Sequence, residues 1–248
     1  MPTILPMAVI TVALSAVLWG AFLYTYSGRT WRFLALVPLG LPLSALVNLG
    51  VKGPLAVGVG AAAGIESGLG LETPVWFLVF LFLLSPVFEE LIKVLPAALP
   101  AVRRRMGSPG DAFLAGLALG IGFGIGEAAY LGWQIGASGA YEMYPWYAFT
   151  GFLGERLVVV FAHGFMTAVV LWLVARKRPI AGFLAAAGTH AVLNAGAMLY
   201  QLGLAPEWAA GLSLVVTLIG CTLVFERIRP RVPRSGDRAD IVYYHVGE

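Results

Sequence analysis

The sequence predicts an all-α fold, a polytopic transmembrane bundle of about seven spans, and three observations predict it. Hydrophobic residues make up 59% of the 248 and charged residues only 12%, where a soluble domain carries roughly a quarter. The mean hydropathy is +0.85, and the apolar runs reach the ~20 residues that cross a hydrocarbon core. Those runs are continuous rather than alternating. They therefore fit helices and not barrel strands, the two structures that satisfy their own backbone in lipid.

Each element follows from its own composition. The first span, near 4–26, is too long for a signal-peptide core and lacks a basic leading region, so it reads as a membrane anchor. The second is expected near 32–50. Segment 51–73 is glycine-rich, carries Lys52, Glu66 and Glu72, and fits a loop or a short interfacial helix. The third span is expected near 74–101 and the fourth near 111–135. The fourth carries Gly116, Gly120, Gly122, Gly124 and Gly126, a small-residue pattern that lets neighbouring backbones approach closely. Spans near 147–176, 179–200 and 207–226 complete the set. No internal repeat stands out, and one domain fills 1–226. The tail, 227–248, is arginine- and proline-rich and then polar. Its basic part can touch anionic lipid at about 1 kcal/mol per charge.

Charge sets the expected orientation. Arg29 and Arg32 follow the first span, Arg103, Arg104 and Arg105 the third, Arg176, Lys177 and Arg178 the fifth, and Arg227, Arg229, Arg231, Arg234 and Arg238 the seventh. The intervening connections hold Lys52 alone among basic residues. Basic residues mark the cytoplasmic side, which predicts an outside N-terminus and a cytoplasmic C-terminus. The net charge of +3 is thus a topology signal and not a nucleic-acid footprint. The tryptophans fall mostly near span ends, as interfacial belts do. Cys221 is the lone cysteine, so no intramolecular disulfide forms. Arginine outnumbers lysine, a usage common in GC-rich prokaryotes, and the expected location is the plasma membrane of such a cell.

Against this background several ionisable groups stand where they are costly. A charge at the bilayer centre costs roughly 2.5–3.5 kcal/mol on insertion scales, and such groups usually face the bundle and serve a function. Glu89, Glu90 and Lys93 lie in the third span, Glu127 in the fourth, Arg156 and His163 in the fifth, and His190 and Asn194 in the sixth. At the helical rise, Glu90 lies ~18 Å, His163 ~20 Å, His190 ~17 Å and Asn194 ~22 Å from the cytoplasmic ends of their spans. Glu127 lies near ~24 Å. Facing agrees with depth. His190 and Asn194 share a face at i, i+4, as do Glu89 and Lys93, and Arg156 and His163 share a stripe.

A carboxylate beside two imidazoles suits removing a proton from water and returning it to a leaving group. An imidazole with a neighbouring amide can donate to a developing oxyanion. The set therefore suits amide hydrolysis inside the membrane, and needs no cofactor. Two other readings use the same residues. The groups could hydrogen-bond across helices as packing. Alternatively, Glu89 or Glu90 with His163 and His190 makes a two-histidine, one-carboxylate zinc set, although no HExxH spacing is present.

At these residues the chain resembles the PrsW-like intramembrane proteases, a family grouped with the type II CAAX prenyl proteases and bacteriocin-processing enzymes. The matching pieces are Glu89-Glu90-x-x-Lys93, Phe123-x-x-x-Glu127 followed by Tyr130, Arg156 with His163, and His190-x-x-x-Asn194. They lie in order on successive spans and define a protease-like core at 74–200. The resemblance implies a glutamate-dependent endopeptidase in a helical bundle that cuts a membrane-anchored protein or peptide. It makes Glu89 the base; on the residues' own chemistry Glu90 would assist and His163 would position the water. His190 and Asn194 would steady the oxyanion, while Lys93, Glu127 and Arg156 orient and balance these groups. Two features depart from the CAAX enzymes. Lys93 stands at PrsW-like spacing, where it could pair with Glu89 and leave Glu90 free. Glu127 stands where those enzymes have histidine, which argues against a prenylated substrate. The wider group also includes the seven-helix scaffold subunit of γ-secretase, so a non-catalytic scaffold is the rival expectation. A proton-coupled transporter is a third, although the sequence shows no inverted repeat or matched pair of interrupted helices that would signal one.

Overall fold

The computed structural model describes residues 4–65, 73–139 and 141–228. Among them the chain is helical without strands. Seven helices are long and apolar enough to cross a membrane: Leu5–Tyr26, Trp31–Ala62, Val75–Ala98, Pro109–Ser138, Trp146–Ala175, Pro179–Gln201 and Trp208–Ile228. The protein is an integral, multi-pass membrane protein.

The fourth span is the axis of the bundle. In its most apolar stretch 83% of the residues are buried, against 17% for the seventh span. Ser108 caps its start by accepting from the Asp111 amide at 3.1 Å, with Pro109 at the first helical turn, where a missing donor costs nothing. Gly139, at φ 66°, ends it in the left-handed conformation. Between these ends the glycines form two faces. A side chain on Gly116, Gly120 or Gly124 would strike the fifth-span backbone at Thr167, His163 or Val160, and one on Gly122 or Gly126 would strike the second-span backbone at Val37 or Leu41. The small residues let three spans meet backbone to backbone.

The second span overturns an expectation. It does not end near 50 but continues to Ala62 as a chain of short helical pieces, Trp31–Leu34, Val37–Gly40, Leu43–Val47, Asn48–Lys52 and Gly53–Ala62. Pro54 cannot donate to the carbonyl one turn back, and the ladder recloses in a wider π turn over Asn48–Lys52. Lys52 therefore lies within a span and not in a connection. Glu66 and Glu72 lie outside the described residues, as does most of the 227–248 tail.

The third span is interrupted in the same way. Pro86 removes a donor, and a π turn runs over Ser85–Glu89 before the α-helix resumes at Glu90–Val94. The two π turns touch. Five of the tryptophans, Trp31, Trp76, Trp133, Trp146 and Trp208, are exposed as interfacial anchors would be. Trp19 is not one of them: its Nε1 donates to the Leu157 carbonyl at 2.9 Å and ties the first span to the fifth.

Candidate active site

Charge inside an apolar helix must find a partner or face water, and here it finds partners. Glu89, Glu90, Lys93, His163 and His190 are all 2% exposed or less. They come from the third, fifth and sixth spans and meet where the third span changes from π to α turns.

Glu89 and Glu90 are neighbours in sequence but diverge around the helix, so they engage different groups. Glu90 Oε1 accepts from Lys93 Nζ at 2.5 Å and lies 2.7 Å from His190 Nδ1. Lys93 thus pairs with Glu90, three residues back, and not with Glu89. The π turn explains the difference. It ends at Glu89 and rotates that carboxylate toward the second span, where Oε1 accepts from Lys52 Nζ at 2.6 Å. Glu89 Oε2 and Glu90 Oε2 are both buried without a hydrogen-bond partner. Glu89 Oε2 lies 3.8 Å from His190 Nε2.

Each histidine is held through one ring nitrogen by a carboxylate. For His190 the holder is Glu90. For His163 it is Glu127, whose Oε2 lies 3.0 Å from His163 Nε2. The same Glu127 oxygen accepts from Arg156 at 3.0 Å, and Arg156 also donates to Glu155 at 2.5 Å. The stripe shared by Arg156 and His163 is realised, since both converge on one oxygen. His163 Nδ1 faces Lys93 Nζ at 3.0 Å. The two imidazole rings stand 5.2 Å apart between centroids, tilted at 72°.

Phe123 closes the wall. It is fully buried, its ring 5.1 Å from that of His163 and 5.0 Å from Lys93 Nζ. A cation against an aromatic face is stabilised where water is excluded. Asn194 lies one turn beyond His190, half-buried, and makes no side-chain hydrogen bond among the described residues. Among the described residues Tyr130 contributes only a ring contact with Trp133, at 5.9 Å.

Glu89, His163 and His190 each offer one ligand atom, and these atoms lie within 4.8 Å of one another. The donor types suit a divalent ion, with the Lys93 ammonium standing 3.0 Å from His163 Nδ1. Two imidazoles and a carboxylate are a zinc donor set, each histidine is oriented by an outer carboxylate as metal ligands are, and Glu89 keeps an unpartnered oxygen beside His190. The sequence offered Glu89 or Glu90 for this role, and the geometry groups Glu89.

Sequence reasoning missed two participants. Lys52 stands in the glycine-rich segment 51–73, which reads as a loop or short interfacial helix and so as a place outside the spans. Phe123 was visible as a motif residue, but nothing in its spacing assigned it a contact.

A family model described as PrsW family intramembrane metalloprotease matches residues 8–224. No curated protein and no solved structure matches the chain.

Proposed function

Because the chain belongs to the PrsW family of intramembrane metalloproteases, we propose that it hydrolyses a peptide bond of a membrane-anchored protein or peptide at the buried cluster of Glu89, His163 and His190. The observation that carries this reading is the convergence of one carboxylate and two imidazoles, from three separate spans, within 4.8 Å.

Peptide hydrolysis needs a base for the water, an acid for the leaving amine and donors for the oxyanion. The unpartnered oxygens of Glu89 and Glu90 are the proton acceptors at hand. Glu89 Oε2, beside His190, takes the proton from the attacking water and returns it to the departing nitrogen, with Glu90 assisting. His163, fixed by Glu127, positions the water. His190, fixed by Glu90, presents Nε2 to the reacting carbonyl, and Asn194 on the same face adds an amide donor for the oxyanion. Lys93 and Arg156 balance Glu90 and Glu127 and keep both histidine holders in place. A divalent ion, if bound, would be held by Glu89, His163 and His190 and would supply a Lewis acid and a more acidic water; Glu89 would then be a ligand, and the unpartnered Oε2 of Glu90 would be the base.

The test is cleavage of a transmembrane peptide by the full-length protein in liposomes, with metal content measured alongside. Glu89→Gln is expected to lower the rate by roughly 10²–10⁴-fold, and Glu90→Gln by less. Unchanged cleavage in both variants ends the assignment. Loss of activity on chelation, restored by zinc, selects the ion-assisted form.

A further inference from the structure

Three carboxylates stand inside the centre, and each is met by one fixed cation. Lys93 meets Glu90 at 2.5 Å, Arg156 meets Glu127 at 3.0 Å, and Lys52 meets Glu89 at 2.6 Å. Lys93 and Arg156 are explained by the histidine holders that they balance. Lys52 balances the carboxylate that itself faces His190.

Its placement is costly. An ammonium inside an apolar span is paid for by function or by partner, and π turns recur at functional positions. Lys52 ends one π turn and Glu89 ends the other, so two separate departures from α-helical geometry bring this one pair together. The lysine side chain is 18% exposed and the glutamate side chain 2%. The cation thus approaches from the wetter side and seizes a single oxygen. The other, Oε2, is left buried and unpartnered, 3.8 Å from His190 Nε2.

We propose that Lys52 is a positioning residue of this centre, a tethered cation that holds Glu89 by Oε1, turns Oε2 toward His190, and competes with a divalent cation for that carboxylate. The inference rests on the function proposed above, because it takes Glu89 as the working carboxylate. Without an ion each of the three inner carboxylates already has a cation, Arg156 being shared with the half-exposed Glu155. A divalent ion at Oε2 would stand close to the Lys52 ammonium in a poorly screened interior, so the two repel. Removing the lysine relieves that repulsion by more than it loosens the carboxylate.

The experiment uses the full-length protein in detergent and Co²⁺ alone as probe, followed by its visible absorption. Lys52→Met is expected to bind cobalt about tenfold more tightly or better, Lys52→Arg to stay near the parent, and Glu89→Gln to bind more weakly. A second arm measures thermal unfolding of Lys52→Met, Glu89→Gln and the double variant. Coupling predicts that the double variant loses less than the two single losses together. Additive losses overturn the proposal whatever cobalt does. Coupled losses with equal cobalt affinity in the parent and Lys52→Met also overturn it, since the pair then serves the scaffold alone. Cobalt bound by neither overturns the competition as well, and removes the ion from the proposed function. Cleavage that survives Glu89→Gln beside a coupled pair shows the reverse failure, of the function and not of the pair.

Discussion

Glu127 spends a single oxygen on two donors, Arg156 and His163, and its substitution has a defined consequence. Glu127→Gln keeps the size of the side chain but removes the charge. Arg156 is left with the half-exposed Glu155 alone, and His163 loses the carboxylate that sets its ring. Cleavage is expected to fall by roughly 10–100-fold, the usual effect of removing an outer carboxylate from a working histidine. Titrating cobalt into the same variant checks the cause, because affinity should weaken in parallel; a full-rate variant would show that His163 needs no holder. At this scale much was legible in advance. A charge in an apolar run is conspicuous, and the helical rise placed Glu90, His163 and His190 at one depth. The pairing was not legible. Lys93 is suitably spaced for either glutamate on an ideal helix, and only the π turn over Ser85–Glu89 decides for Glu90.

Helices bring these groups together through a surface almost without side chains. Gly120 lies against the backbone of His163 itself: an added Cβ would strike the His163 carbonyl and come within 2.7 Å of Thr167 Oγ1 and 2.8 Å of Gly164 Cα. Gly120→Ala must therefore push the fifth span away, and His163 travels with it. A destabilisation of about 1–3 kcal/mol is expected, the usual cost of overpacking, together with a clear loss of cleavage. Gly154→Ala is the matched control on the fifth span, with nothing within 4 Å of its added Cβ. It should be neutral or stabilising by up to about 1 kcal/mol, as alanine is in helices. Comparing thermal unfolding of the two variants checks the claim, and equal behaviour would refute it. The glycine stripe predicted close packing from sequence. It did not reveal that alternate glycines serve the fifth and second spans, because that depends on how the bundle is wound. Nor did it show the length of the second span, where Gly53 and Pro54 imitate a helix end while the ladder recloses around them.

For the whole molecule, the connections between seven successive spans alternate from side to side. Those after the first, third and fifth spans share one side and carry the basic clusters. The second span begins against one of them, since Arg32 donates to the Arg105 carbonyl at 2.6 Å and lies 3.8 Å from Asp111 at the start of the fourth span. The residues on this side are Arg29, Arg103, Arg104, Arg105, Arg176, Lys177 and Arg178, while Glu142 and Glu207 lie in connections on the other side. Moving Lys52 from a connection into the second span sharpens this asymmetry, because it removes the one basic residue counted against it. Basic clusters of this kind mark the cytoplasmic side, so their side is expected to face the cytoplasm. Cys221 is buried at 2% exposure, and replacing it with serine gives a cysteine-free background for labelling. On that background Glu207→Cys is expected to react with an impermeant maleimide in intact cells. Arg104→Cys, exposed on the opposite side, should react only after permeabilisation. The reverse pattern would turn the bundle over and place the Glu155 end of the polar chain in the cytoplasm, so that a substrate would meet the centre from the other leaflet.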